Sequence, residues 1–244
     1  MTPDILYEDQ DIIVCVKPAG IPTQSSRIGT PDMVSILKNH IYKNQKNSSA
    51  KKEPYLAVIH RLDQPVEGLL VFAKTPAAAA KLNKQLTQKG FGKHYRAILT
   101  GTPSQAEGDL CDYLVKDGRT NSSRVCTPDT PGAKKAVLHY KVLESRPPYS
   151  LVEVTLETGR HHQIRVQMAH LGCPIAGDRK YGGSSGAVSM SDDSGYSAAD
   201  TGYSAATAQS YHSLQLYACR LTFQHPGTGR QMDFHLPLEL ELPS

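Results

Sequence analysis

Asp63 stands where a side chain could do chemistry. An apolar run from Tyr55 to Ile59 leads through His60-Arg61-Leu62 to Asp63-Gln64-Pro65, and a second apolar run, Leu69 to Ala73, begins after Gly68. Two apolar runs around a turn put a carboxylate at the mouth of a strand-to-strand connection, where rigid elements fix the backbone and the side chain projects into a cleft. Arg61 supplies a nearby cation that favours the ionised form. A carboxylate held this way serves as nucleophile, as proton acceptor, or as one of a carboxylate pair. Glu67 is the only close sequence candidate for a pair. The Asp-Gln-Pro order equally suits a turn former that hydrogen-bonds its own backbone.

Two further residues stand out, Tyr95 on an alternating segment and Arg165 within a helical one. Taken alone, Tyr95 reads as a half-buried strand aromatic and Arg165 as a cation on the flank of a helix. His161, His162 and His170 invite a zinc site, but adjacent histidines on a helix point to different faces and no His-Glu-x-x-His pattern is present. Gly182-Gly183-Ser184-Ser185-Gly186 lacks the Lys-Ser/Thr of a phosphate loop.

The elements that must position these residues follow from periodicity. Ile5 to Glu8 and Asp11 to Val16 read as two strands, ended by Lys17-Pro18-Ala19-Gly20. Thr30 as N-cap and Pro31 at the first helical position predict a helix to about Ile41, followed by a basic loop from Lys43 to Pro54. Thr75-Pro76 starts a second helix, with Ala79, Leu82 and Leu86 on its apolar side and Gly90 as its stop. Gly92 to Thr100 alternates as a strand, with Tyr95, Ala97 and Leu99 on one face. Residues 116–136 lack periodicity and are expected to form a long excursion. Strands are expected at Val137 to Glu144 and Ser150 to Thr158, a helix over Gly159 to Gly172, a flexible insertion at 184–210, and a closing hairpin around His225 to Gly229. Strands outnumber helices without regular alternation, so an α+β fold with a mixed, largely antiparallel sheet is expected.

With 244 residues, 39% hydrophobic and 20% charged, the chain is long enough for a sizeable core and is read as a single domain, 1–244. No apolar run approaches the roughly 20 residues that span a bilayer. Five scattered cysteines with no Cys-x-x-Cys pair argue for free thiols in a reducing cytoplasm. The net charge of +4 permits a polyanionic partner without requiring one.

The ordered series His60-Arg61-Leu62-Asp63, Gly68 to Lys74, Lys93-His94-Tyr95-Arg96-Ala97, Gly159-Arg160-His161-His162-Gln163-Ile164-Arg165 and Pro174-Ile175-x-Gly177-Asp178-x-x-Tyr181-Gly182 resembles the motifs of RluA-like pseudouridine synthases. The resemblance spans nearly the whole chain. It implies the pseudouridine synthase fold and conversion of uridine to pseudouridine in structured RNA, rRNA or tRNA, by a cytoplasmic monomer that needs no metal or other cofactor. It further implies Asp63 as the catalytic carboxylate and Arg165 as the partner that lowers its pKa. Tyr95 is implied as the shelf for the detached uracil, its hydroxyl able to assist loss of the C5 proton. Arg61 is implied to fill the space left by the flipped nucleotide.

This chain departs from the family pattern in places. Val66 and Glu67 stand where Thr-Ser is frequent, which removes two hydroxyls and brings a negative charge near Asp63. His161 stands where Thr is frequent and Gln167 where His is frequent. The chain begins too close to its motifs for the S4-type domain that many relatives carry in front. RNA would then be gripped by the catalytic domain and by basic loops around Lys51-Lys52 and Lys116 to Lys135. The competing expectation is an RNA-binding protein on the same fold with impaired catalysis.

Overall fold

The computed structural model describes residues 2–27, 29–45, 53–88, 90–182, 211–237, 240 and 242–243. The insertion expected at 184–210 and the Lys51-Lys52 loop lie outside the described residues.

Among the described residues fourteen elements run in the order β1 Asp4–Glu8, β2 Ile12–Lys17, α1 Met33–Asn44, β3 Ala57–Val58, β4 Glu67–Ala73, α2 Pro76–Thr87, β5 Gly92–Thr100, β6 Glu107–Asp117, β7 Ser122–Cys126, β8 Lys134–Arg146, β9 Tyr149–Leu156, α3 Gln163–His170, β10 Leu216–Gln224 and β11 Gln231–His235. The strands form one 11-stranded sheet in the order β1-β2-β4-β10-β5-β9-β8-β6-β7, with β11 on β10 and β3 on β4. Every strand pair is antiparallel except β4 with β10. The fold is α+β with a mixed sheet.

Helices cover both faces of β2 and β4. Ile13, Cys15, Leu70 and Phe72 pack with Met33, Ile36 and Leu37 of α1 and with Ile164 and Met168 of α3. Ile12, Val14, Leu69 and Val71 pack on the other side with Ala78, Ala79 and Leu82 of α2. Burial on both faces explains why these strands read as unbroken apolar runs rather than alternating ones. The parallel junction needs Gly68: it sits at φ +136°, and a Cβ there would lie 2.3 Å from the Ala218 carbonyl oxygen.

Three expectations are corrected. The N-cap of α1 is Asp32, not Thr30. Its carboxylate accepts from Ser35 N–H at 2.7 Å, and Asp32 N–H donates to Ser35 Oγ at 3.1 Å, a capping box that starts the helix two residues later. The expected excursion at 116–136 contains β7 and the start of β8, hydrogen-bonded through the β6–β7 and β6–β8 pairs. Its polar composition belongs to a sheet edge, where charged residues block further pairing. The third helix begins only at Gln163. Its end is as expected: Gly172 N–H bonds to Ala169 and Cys173 N–H to Met168, with Gly172 at φ +84°. Among the described residues no helix is long and apolar enough to cross a membrane.

Candidate active site

The turn that carries Asp63 is strapped from behind. Lys17, fully buried at the end of β2, donates to the carbonyls of Pro18 (3.0 Å), Ile21 (2.7 Å) and Gln64 (3.0 Å). Burial pushes its pKa down to about 8, against the opposing pull of Asp63 and Glu67. Gly20 N–H also donates to Gln64 O at 2.8 Å, and the Thr23 hydroxyl both donates to Leu62 O and accepts from Leu62 N–H. Asp63 thus leaves a loop whose neighbours on each side are pinned to residues 17–23.

Asp63, Arg61, Tyr95 and Arg165 all line one cleft of about 1830 Å³. Asp63 Oδ2 lies 3.4 Å from Arg165 Nη1 and 3.6 Å from His162 Nε2. Arg165 is 7% exposed, so it is no solvated surface cation. Its Nε and Nη2 donate to both oxygens of Asp178, each at 2.8 Å. Asp178 also accepts from the backbone N–H of Lys180 and Tyr181. Burial would raise the Asp178 pKa, but Arg165 and these amides hold it below the usual carboxylate range.

The expected lowering of the Asp63 pKa is not what this geometry produces. Burial pushes it up, and the Arg165 charge and hydrogen bond only partly offset that. The reason is the division of Arg165: its two-pronged face belongs to Asp178, leaving one longer contact for Asp63. Among the largest influences on Asp63 are also His161 and Asp178. Glu67 acts instead on Lys17 and Tyr217, and Val66 is buried in the core.

Tyr95 sits mid-sheet, opposite Ala218 on β10 and Val154 on β9. Burial, then the charge of Asp63, raises its pKa well above the ordinary phenol, so it is neutral in the resting site. Arg61 is exposed on the cleft rim, with no hydrogen bond or ion pair among the described residues.

His162, Tyr181 and Asp178 are site residues that sequence reasoning gave no role. His162 adopts the left-handed conformation (φ 55°, ψ 25°) just before α3. His161 and His162 were expected on different helix faces; because the helix starts after them, their rings stack instead at 3.7 Å. Burial first, then the neighbouring imidazole and Lys116 for His161 and Arg165 for His162, pushes both down to about 4, so both are neutral at pH 7. The Tyr181 hydroxyl accepts from Ser123 N–H at 2.9 Å and shares a hydrogen bond with His162 Nδ1 at 2.7 Å. His162 Nε2, the other ring nitrogen, faces Asp63. The Tyr181 ring also lies 5.0 Å from the Arg165 guanidinium carbon, in cation–π range. His161 bonds Ser123 Oγ and Asn121, which ties the β6–β7 hairpin to the cleft.

Comparison with known proteins identifies the family. Residues 11–170 match the family model described as RNA pseudouridylate synthase. The chain is 33% identical over 241 residues to ribosomal large subunit pseudouridine synthase D of Vibrio parahaemolyticus, covering 96% of this chain and 67% of that protein. It is 34% identical over 238 residues to the RNA pseudouridine synthase YlyB of Bacillus subtilis, covering 96% and 69%. The solved structure of human RNA pseudouridylate synthase domain containing 4 superposes with a TM-score of 0.69 at 26% identity, over 97% of this chain and 88% of that one. A carboxylate set beside a divided guanidinium and an aromatic strand residue, on this sheet and with these relatives, makes the chain a member of the RNA pseudouridylate synthase family, an isomerase.

Proposed function

We propose that this protein converts uridine to pseudouridine within structured RNA, with Asp63 as the acting carboxylate and the target nucleotide flipped into the cleft. The observation that carries the reading is the chain of contacts Asp178–Arg165–Asp63 in the cleft that Tyr95 also lines, with Tyr95 near enough to feel the charge of Asp63. The C1′–N1 bond breaks, the uracil turns, C5 bonds to C1′, the C5 proton leaves, and N1 gains a proton. Asp63 serves as nucleophile at C1′ or as the base that takes a proton from C2′ to give a glycal; burial, by raising its basicity, suits either role. Arg165, fixed by Asp178, orients the carboxylate without neutralising it. Tyr95 supports the detached uracil, a stacking contact worth about 1–3 kcal/mol. Arg61, free at the rim, occupies the space left by the everted nucleotide. The naming of a relative for the ribosomal large subunit favours ribosomal RNA as substrate.

The departures at Val66 and Glu67 leave these contacts intact, which favours an active enzyme over a binding protein alone. The test is Asp63→Asn, assayed by pseudouridine mapping in RNA from a deletion strain complemented with each form. Wild type should restore the missing pseudouridine and the variant should not, while retaining RNA binding. Full modification by the variant would remove Asp63 from the mechanism.

A further inference from the structure

Lys93 is a buried cation to which the steps above give no task. It lies on β5 two residues before Tyr95, is 8% exposed, and lines the same cleft as Asp63. The other buried lysine or arginine side chains among the described residues are answered: Lys17 by three carbonyls, Arg165 by two carboxylates. Lys93 has no hydrogen-bond acceptor and no carboxylate partner among the described residues. Burial, with the charge of Arg160 added, pushes its pKa down to about 8, so the ammonium is still the main form at neutral pH.

The surroundings of this ammonium supply donors and no acceptor. Arg160 brings a second positive charge and spends its Nε on the Lys135 carbonyl. His60, pushed down to about 3 by burial and by Lys93, is neutral. Its Nε2 accepts from Val71 N–H at 3.4 Å, which places the ring proton on Nδ1, a buried atom with no partner among the described residues. Gly159 leaves space at the ammonium, since a Cβ there would lie only 3.3 Å from Nζ. A cleft wall with an ammonium that has no protein partner and a neighbouring guanidinium lacks an anionic oxygen.

We propose that Lys93 binds a backbone phosphate of the RNA strand next to the target nucleotide, with Arg160 strengthening the positive field. This rests on the RNA isomerase reading above. Phosphate fits because every RNA linkage carries an anionic oxygen, and a compact ammonium binds it as a point charge. The contact would fix the strand while Asp63 acts on the nucleotide beside it.

The experiment compares wild type, Lys93→Met and Lys93→Arg. Binding of fluorescein-labelled decauridylate RNA is followed by anisotropy from about 50 to 200 mM salt, where each phosphate contact to a single strand contributes about 0.7 to the slope of log K against log salt. Melting temperature, and pseudouridine formation on total RNA from a deletion strain, are measured on the same preparations. Lys93→Met should bind more weakly at low salt with a slope shallower by about 0.7, and Lys93→Arg should keep the wild-type slope. Because the ammonium has no protein partner to lose, Lys93→Met should melt within about 3 °C of wild type. A Lys93→Met protein that fails to fold, or that binds with the wild-type slope, overturns the proposal. If wild type forms pseudouridine while the Lys93→Met slope is unchanged, the phosphate contact alone is refuted; if wild type forms none, the isomerase reading is what fails.

Discussion

Replacing Asp178 by Asn tests how Arg165 is supported. The Asp178 side chain is fully buried and gives both oxygens to Arg165 at 2.8 Å. Removing one partner of a buried ion pair typically costs about 3–5 kcal/mol, because the other charge is left unanswered. Here the low end applies. Asn keeps an oxygen for the amides of Lys180 and Tyr181, and Asp63 still lies 3.4 Å from Arg165 Nη1. A loss of about 3 kcal/mol in a chain of this size lowers the melting temperature by roughly 6–12 °C. The second consequence falls on Asp63. With Asp178 neutral, Arg165 turns its charge on Asp63 alone, which lowers the Asp63 pKa and shifts the acid limb of the pH–rate profile to lower pH. Thermal unfolding by circular dichroism and a pH series of pseudouridine formation read the two effects. A melting temperature within about 2 °C of wild type would refute the reasoning, since it would mean that the charge of Arg165 is carried without Asp178.

Asp63→Asn should melt at or above wild type at pH 7. The folded pKa of Asp63 is raised, chiefly by burial, so ionisation costs stability. That cost is absent below the unfolded value of about 3.9, grows as pH rises through the folded value, and is complete above it. The two melting temperatures should therefore converge toward pH 4, and a lower value for the variant at pH 7 would mean that Arg165 outweighs burial. Gly68→Ala, forced to φ +136° with its Cβ against Ala218 O, should lose about 3 kcal/mol or more by urea unfolding, and a wild-type midpoint would contradict the close β4–β10 approach. Lys17→Met should cost about 2–4 kcal/mol by leaving the Pro18 and Ile21 carbonyls without their donor. It should also lower kcat, because Gln64, next to Asp63, loses one of its anchors; an unchanged kcat would mean that Gly20 alone fixes the turn.

Local signals made much of this molecule legible. The Thr75-Pro76 start of α2 and the Gly172 stop of α3 depend on neighbours a few residues away, and both appear as expected. The alternation of β5 placed Tyr95, Ala97 and Leu99 on one face, and all three lie in the same core cluster. Asp178 was legible as part of a motif but not as a partner, because its pairing with Arg165 is made by a turn returning after α3. A buried Arg requires a carboxylate, yet nothing in a helix pattern says that Arg165 is buried. The same limit applies to Asp63: the resemblance implied that Arg165 lowers its pKa, whereas the balance is set chiefly by burial, with Asp178 also raising it, and both are tertiary. His162 was misread because a helix period was extended four residues too early, across a left-handed residue that starts α3 without a side-chain cap.

The position of β10 has a consequence for synthesis of the chain. This late strand lies between β4, beside the turn that carries Asp63, and β5, which carries Tyr95. Until residues 216–224 have left the ribosome, the two halves of the sheet have no strand to join them, and the cleft between them cannot close. The cleft is therefore complete only once that strand is in place, through contacts distant in sequence, a class of pairing that forms late in folding.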